Sequence, residues 1–382
     1  MDTKTNKGII VLGGHVQALG IIRILGQEGI PSIIIDNTPR NIACHSKYCQ
    51  KSFTVAEINL LSFLVDLGEK GVYSNWVIFP TNDFHVKLLS TNKKELENYF
   101  IVSADNWDSV KIFYNKQLTY RLAQKLNIPI AKTFFPSSEN ELKNIDIEYP
   151  CIIKPAVMYD FYKQVKKKVF ICKSYDDLIQ KYRLALQFIP PEEVIIQEII
   201  KGSSKNQFSA CFLFLNNKTY VQLTACRLRQ HPLDFGNATT YAETIDLPLL
   251  VELGERILGA ASYNGVCEVE FKKDDRDSEY KFLEVNTRTW KWHTIAIKAD
   301  TPFLGLFYKH LIGTPIEKVE KFSKASFRHG LTDISVQARL LVRGEKHWSR
   351  MKKPVQAAVW SNHDIMPWVF EKINLFSLIW NR

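Results

Sequence analysis

The sequence predicts a mixed α/β and α+β protein in which a parallel-sheet lobe is followed by two smaller α+β lobes and a basic helical tail. Three observations predict it. Residues 8–36 read as buried strand, tight turn, helix and strand, a βαβ unit. Short apolar strands such as CIIKP and VIIQEII then alternate irregularly with helices. Finally, EVEFKKDDRDSEYKFLEVN reads as two alternating strands joined by a polar loop.

Bulk properties narrow the classes. A chain of 382 residues suits two or three lobes around a shared cleft. Its 46% hydrophobic and 24% charged residues exclude a disordered or fibrous protein. A net charge of +10 fits nucleic acid, an anionic membrane face, or acidic small molecules such as nucleotide phosphates and carboxylates. Basic and aromatic residues do not interleave as on an RNA-binding sheet, and no zinc-finger or helix-turn-helix signature is present, so nucleic acid is not an expected partner. The seven cysteines are scattered and odd in number, which suits reduced core thiols and a cytoplasmic setting. The N-terminal stretch MDTKTNKGIIVLGG has no secretory core, and no apolar run reaches the roughly 20 residues needed to span a bilayer. Nothing in the sequence speaks to oligomeric state.

Along the chain, residues 8–12 and 30–36 are expected strands around a helix at 16–28. A helix at 59–70, a strand at 76–80 and a helix opening at 84 continue the parallel pattern, giving a first lobe at residues 1–112. A helix at 116–126, strands at 150–155, 169–172 and 193–200, and a helix at 176–186 form the second lobe, 113–201. The third, 202–320, opens with two antiparallel strands turning at Asn216-Asn217, then a helix at 247–263 and strands at 267–272 and 280–286. The extension 321–382 is basic and tryptophan-rich and ends MPWVFEKINLFSLIWNR. A helix docked on the body is the expected arrangement, and weak contact with a membrane surface is the alternative. There is no internal repeat or low-complexity tract.

The stretch FLEVNTR places Glu284, Asn286 and Arg288 two apart, so in a strand they share one face. Glu270, in EVEFK, is flanked by apolar residues in the same way. If the two strands pair antiparallel, the carboxylates meet, and with the Asn286 amide they form a hard oxygen cluster suited to Mg²⁺ beside nucleotide phosphates. Taken singly, a strand Glu usually faces solvent and a strand-end Asn usually turns the chain. It is the four residues together that point to a site.

EVEFK with FLEVNTR resembles the metal-binding end of the ATP-grasp superfamily. Lys116 in FYNKQLTYRLAQKLNIPIAKTF, Lys154 in YPCIIKP, and VIIQEIIKG stand in that family's order, so the resemblance covers most of residues 1–315. The resemblance implies an ATP- and Mg²⁺-dependent ligase joining a carboxylate to an amine through an acyl phosphate. It implies that Lys154 and Lys116 meet the phosphates from opposite sides, that backbone near Ile200 reads the adenine edge, that Ile199 walls the ring, and that Glu198 or Lys201 lies near the ribose, with Gln197 in the same hinge strand. The bland reading of that strand is a core strand ending in a turn. Arg288, and Arg227 or Arg229 in TACRLRQHP, would hold the acyl phosphate or a substrate carboxylate by forked hydrogen bonds. After Lys154, AVMYDFYKQVKKKVF lacks the glycines many members fold over the phosphates, so 159–168 is expected as a mobile cover or a solvated basic hairpin. This departure resembles the branch of D-aspartate ligases and carbamoyl-phosphate-synthase-like enzymes, which implies an amino-acid ligase acting in peptide, cell-wall or polysaccharide modification.

In the first lobe, VLGGH lacks a full GxGxxG, which weakens a nicotinamide-dependent reading and leaves Gly13 and Gly14 a substrate-binding or structural role. Thr81, Asn82 and Asp83 follow a strand where α/β sheets bind ligands, and a plain helix cap is the alternative. The remaining rival is a catalytically silent protein that kept the nucleotide-binding fold.

Overall fold

Alternate side chains of the first strand face opposite ways, and each set finds its own cover. The computed structural model describes residues 7–233, 236, 238–344 and 354–380, the side chains of Ser204 and 375–380 excepted. Strands β1 (Ile9–Leu12), β2 (Ser32–Asp36), β3 (Cys49–Thr54), β4 (Val77–Pro80) and β5 (Ile101–Val102) form an all-parallel sheet in the order β3-β2-β1-β4-β5. Ile9 and Val11 pack with Leu19, Ile22 and Leu25 of α1 (Val16–Gln27), while Ile10 and Leu12 pack with Leu60, Leu64 and Leu67 of α2 (Leu60–Glu69). Burial on both faces is why the strands read as unbroken apolar runs. Helices α3 (Asp83–Thr91), α4 (Lys93–Leu96) and α5 (Trp107–Tyr114) complete this lobe.

The second sheet is antiparallel and small. After α6 (Lys116–Lys125) come β6 (Thr133–Phe134), β7 (Cys151–Pro155), α7 (Met158–Val165), β8 (Phe170–Cys172), α8 (Tyr175–Ala185) and β9 (Val194–Glu198), with strand order β6-β9-β7-β8. Ile153 and Ile196 bury against Leu178 and Tyr182 of α8. The segment expected as a cover or hairpin at 159–168 is helical up to Val165. Phe161 decides this, because its ring is buried edge-on against Phe170 and Phe188.

The third sheet has seven strands. These are β10 (Gln207–Leu215), β11 (Lys218–His231), β12 (Ala238–Thr244), β13 (Gly265–Lys273), β14 (Tyr280–Asn286), β15 (Ser326–Arg328) and β16 (Val355–Ala357), in the order β14-β13-β10-β11-β12-β15-β16. Asn216 and Asn217 both adopt positive φ (51° and 58°), which matches the twist of the β10–β11 hairpin they connect. One face packs Phe212, Phe214 and Val269 on Leu253 and Ile257 of α9 (Pro248–Ala260). The other packs Cys211, Leu213 and Val266 into the core that holds α1, Trp290, Trp292 and α10 (Phe303–Leu311).

The tail is not simply helical. Besides α11 (Gly330–Val342) and α12 (Met366–Trp380), it supplies β15 and β16 to the large sheet. The described part of α12 docks on the first lobe: Phe370 stacks on His45 at 3.3 Å between ring centroids, and Asn374 donates to the Arg40 carbonyl at 2.7 Å. Just before it, Asp364 accepts from Arg23 Nε at 2.8 Å, Ser46 Oγ at 2.6 Å and the Lys47 amide at 3.0 Å. Among the described residues no helix is long and apolar enough to cross a membrane. Trp348 of the tryptophan-rich tail lies outside the described residues. All seven cysteines are free.

Candidate active site

The three sheets enclose a cleft of about 810 Å³, within the size range of small-molecule sites. On its floor, the antiparallel register of β13 and β14 sets Glu270 opposite Glu284 and Glu268 opposite Asn286. The two residues expected to meet therefore stand opposite each other across the strand pair. Asn286 Nδ2 donates to Glu270 Oε1 at 2.9 Å and to Glu268 Oε2 at 3.1 Å. Arg227, reaching across from β11, donates to the other Glu270 oxygen.

Lysines close the cleft from two sides. Asn115 caps α6 by accepting from the amides of Gln117 and Leu118 at 3.0 and 3.2 Å, which fixes Lys116 at the first helical position. Its ammonium donates to Glu284. Burial alone would lower the Lys116 pKa, but the Glu284 charge outweighs it and the value is raised; Lys116 in turn holds the Glu284 carboxyl well below the usual range. Lys154, buried in β7, donates to Gln197 Oε1 at 2.7 Å and to the Tyr120 hydroxyl at 2.6 Å. Burial lowers its pKa. Gln197 is itself pinned by donating to Thr133 Oγ1 at 2.7 Å, and Tyr120 by donating to the Leu283 carbonyl at 2.8 Å.

At the far end, Glu198, Ile199, Ile200 and Lys201 line the cleft. Glu198 pairs with Arg276, which also grips Asp274 at 2.6 Å, and the Ile200 carbonyl accepts from Lys272 Nζ at 2.9 Å. At the near end, Arg288 donates to Asp83 Oδ1 at 2.8 Å and Asn286 Oδ1 at 3.1 Å, which ties the first lobe to the floor.

Other expected residues fall elsewhere. Arg229 does not line the cleft. It is 3% exposed, forked onto Asp333 of α11 at 2.7 and 3.0 Å, and stacked over Tyr241. The bulge in β11 between Arg227 and Arg229 accompanies this divergence. Thr81 is fully buried and donates to the Leu12 carbonyl at 2.6 Å, so it braces the sheet rather than facing a substrate. Asn82 is the cap of α3, accepting from the His85 amide at 2.8 Å, and it also lines a separate small cavity with Gly13. Gly13 needs its φ of +90°, and a Cβ there would stand 2.4 Å from Thr81 Oγ1. Gly14 lines neither space; a Cβ there would lie 2.6 Å from Asp36 Oδ2.

Several cleft residues were missed. Glu268, 3% exposed, accepts from Ser209 Oγ at 2.8 Å and Trp292 Nε1 at 3.1 Å, and burial with the neighbouring Glu270 charge lifts it to about 8. The alternation in CEVEF carried the signal, since Glu268 must share the face of Glu270. Lys168 and Lys291 also line the cleft with pKa values lowered by burial, Lys291 to about 8. Lys168 closes the segment 159–168 expected as a cover, while nothing local in the sequence marks Lys291.

Among the described residues no three His, Cys, Asp or Glu side chains group as a ready metal cage. The donor chemistry nevertheless fits a hard divalent cation that keeps waters of its own, because Glu270, Glu284 and Asn286 offer oxygens from adjacent strands. Lys116 and Arg227 neutralise the two carboxylates here.

The fold is that of the ATP-grasp superfamily. The model of the carbamoyl-phosphate synthase L chain ATP-binding domain matches residues 243–303, which includes Glu270, Glu284, Asn286 and Arg288. The chain is 22% identical over 228 residues to a D-aspartate ligase of Enterococcus faecium, covering 56% of this chain and 53% of that protein. It is 21% identical over 271 residues to the N-terminal section of the carbamoyl phosphate synthase large chain of Methanopyrus kandleri, covering 68% and 43%. The chain thus spans about half the length of these curated relatives. Among solved structures, N5-carboxyaminoimidazole synthetase from Staphylococcus aureus, complexed with ADP, superposes with a TM-score of 0.65 at 15% identity over 88% of this chain and 86% of that one. The biotin carboxylase domain of Hydrogenobacter thermophilus 2-oxoglutarate carboxylase, in complex with MgADP, gives 0.66 at 14% identity over 82% and 72%.

Proposed function

We propose that this chain is an ATP- and Mg²⁺-dependent carboxylate–amine ligase that forms an amide bond through an acyl phosphate. The observation that carries the reading is the gathering of Glu270 and Glu284 in one cleft with Lys116 and Lys154. The resemblance to D-aspartate ligase and to the carbamoyl-phosphate-synthase domain supports it. Residues 1–112 then serve the second substrate, 113–201 and 202–320 grip the nucleotide, and 321–382 form an extension. Small-molecule acids and amines are the partners, in a cytoplasmic setting where ATP is available.

In this reading Glu270, Glu284 and Asn286 hold Mg²⁺, which supplies charge neutralisation at the γ-phosphate. Lys154, pre-aimed by Gln197 and Tyr120, and Lys116, released from Glu284, bind phosphate oxygens. The segment Gln197 to Lys201 takes the adenosine. A substrate carboxylate oxygen attacks the γ-phosphorus and ADP leaves. Arg288 and Arg227 orient the resulting acyl phosphate, and an amine displaces phosphate at the acyl carbon, giving up a proton. Closure of the cleft keeps water from the acyl phosphate.

The test is a screen of amino acids and sugar acids, paired as acid and amine, for ADP and phosphate release by the full chain with ATP and Mg²⁺. Release that requires both partners is expected. Nucleotide binding with no substrate-dependent release across the panel would favour a silent nucleotide-binding protein instead.

A further inference from the structure

We propose that a small cavity at the carboxyl end of the first sheet binds an ammonium group that a substrate carries apart from its reacting amine or carboxylate, with Asp36 as its counter-charge. The inference rests on the ligase reading and deepens it. The cavity measures about 120 Å³, and four adjacent parallel strands each deliver a polar group to it: His15 after β1, Asp36 at the end of β2, Glu57 after β3, and Asn82 with His85 after β4. It lies where the strand order reverses between β1 and β4, the position at which open parallel sheets leave a crevice.

Three observations point to a cation. Asp36 is 8% exposed and accepts from the Asn37 amide at 2.6 Å and from Asn41 Nδ2, yet among the described residues no Lys or Arg pairs with it. A buried carboxylate without a counter-ion is costly, and a bound ammonium removes that cost. The two imidazoles do not supply the charge. Burial lowers both His15 and His85, the latter to about 3, so each is neutral. His85, 7% exposed, also keeps a buried Nδ1 with no hydrogen-bond partner. Glu57 adds a second carboxylate, of which one oxygen is engaged by the Tyr159 hydroxyl at 2.8 Å and Lys163 at 2.6 Å.

Size and place agree. A cavity of roughly 150 Å³ holds benzene, so this one takes a fragment of about five heavy atoms, the end of an amino acid or amino alcohol. Asn82 is followed directly by Asp83, which joins Arg288 at the rim of the main cleft. A neutral diol would satisfy the hydrogen bonds but leave the Asp36 charge unmatched.

The experiment is nucleotide-free titration of the full chain with ethanolamine and glycinamide as ammonium probes and ethylene glycol and adenosine as uncharged ones. Binding of an ammonium probe is expected, weakened roughly tenfold or more by Asp36→Asn and several-fold by Glu57→Gln, with retained ADP binding confirming that each variant is folded. The proposal is overturned if neither ammonium probe binds, if both variants keep full affinity, or if the uncharged probes bind as well. No turnover is needed. Ammonium binding without any substrate-dependent ADP release would therefore sink the ligase reading while leaving this site standing.

Discussion

At the residue scale, Glu284 and Gln197 do different kinds of work. Glu284→Gln keeps the shape of the side chain but removes the negative charge that faces Lys116 and, when bound, the metal. Turnover, measured as ADP release, is expected to fall at least roughly a hundredfold. The Glu284 side chain is 36% exposed, so solvent screens the pair and the stability cost should stay near 1 kcal/mol, visible as a small drop in melting midpoint. Gln197→Leu removes the acceptor that aims Lys154. Its expected effect is a rise of roughly tenfold in KM for ATP, with a smaller change in kcat. Much of this was legible beforehand. Period-two spacing in FLEVNTR put Glu284 and Asn286 on one face, and that face is where they are found. Arg227 and Arg229 share the same spacing and nevertheless part company, because a bulge turns one to Glu270 and the other to Asp333. Spacing cannot reveal a bulge.

At the scale of elements, β1, β2, β4 and α1 to α3 of the first lobe, and β10, β11, α9, β13 and β14 of the large sheet, follow the sequence closely, since long apolar runs and the Asn-Asn turn are local signals, whereas β3, β5 and β12 were not foreseen. Short strands such as β15 and β16 were not foreseen. Three residues each carry no periodicity, and only the open edge of β12 gives them a place. The loop between β16 and α12 depends on Asp364, whose side chain is 2% exposed beside Arg23 at 10%. Asp364→Ala leaves that guanidinium buried without its partner and should cost about 3 kcal/mol, read as a lower melting midpoint. Burial alone would raise the Asp364 pKa, but Ser46, the Lys47 amide and Arg23 outweigh it and the folded value is depressed. A depressed carboxyl stabilises the fold above its unfolded pKa, and that contribution disappears as pH falls through the folded value. Wild type and variant should therefore converge in stability under acid conditions, measurable by denaturant melts from pH 7 downward.

At the scale of the whole molecule, the cleft exists only because three sheets meet, and the residues lining it come from positions as distant as Gln17 and Trp292. This is why Lys291 and the contacts of Arg276 were invisible in the linear chain. The same geometry predicts a linkage. A nucleotide bound across two lobes stabilises the closed molecule, by about 2.7 kcal/mol at a hundredfold excess over Kd. The melting midpoint should rise with MgADP and rise less with ADP in EDTA, checked by thermal denaturation.

The described tail runs from the edge of the seven-stranded sheet to the outside of the parallel one, with β16 on β15 at one end and Phe370 against His45 at the other. Such a strap fastens those two bodies into a single jaw. The four-stranded piece reaches the parallel one through its helix α7, where Tyr159 and Lys163 donate to Glu57. The carboxyl group of Glu57 is thus one point at which the four-stranded sheet is held to the parallel one.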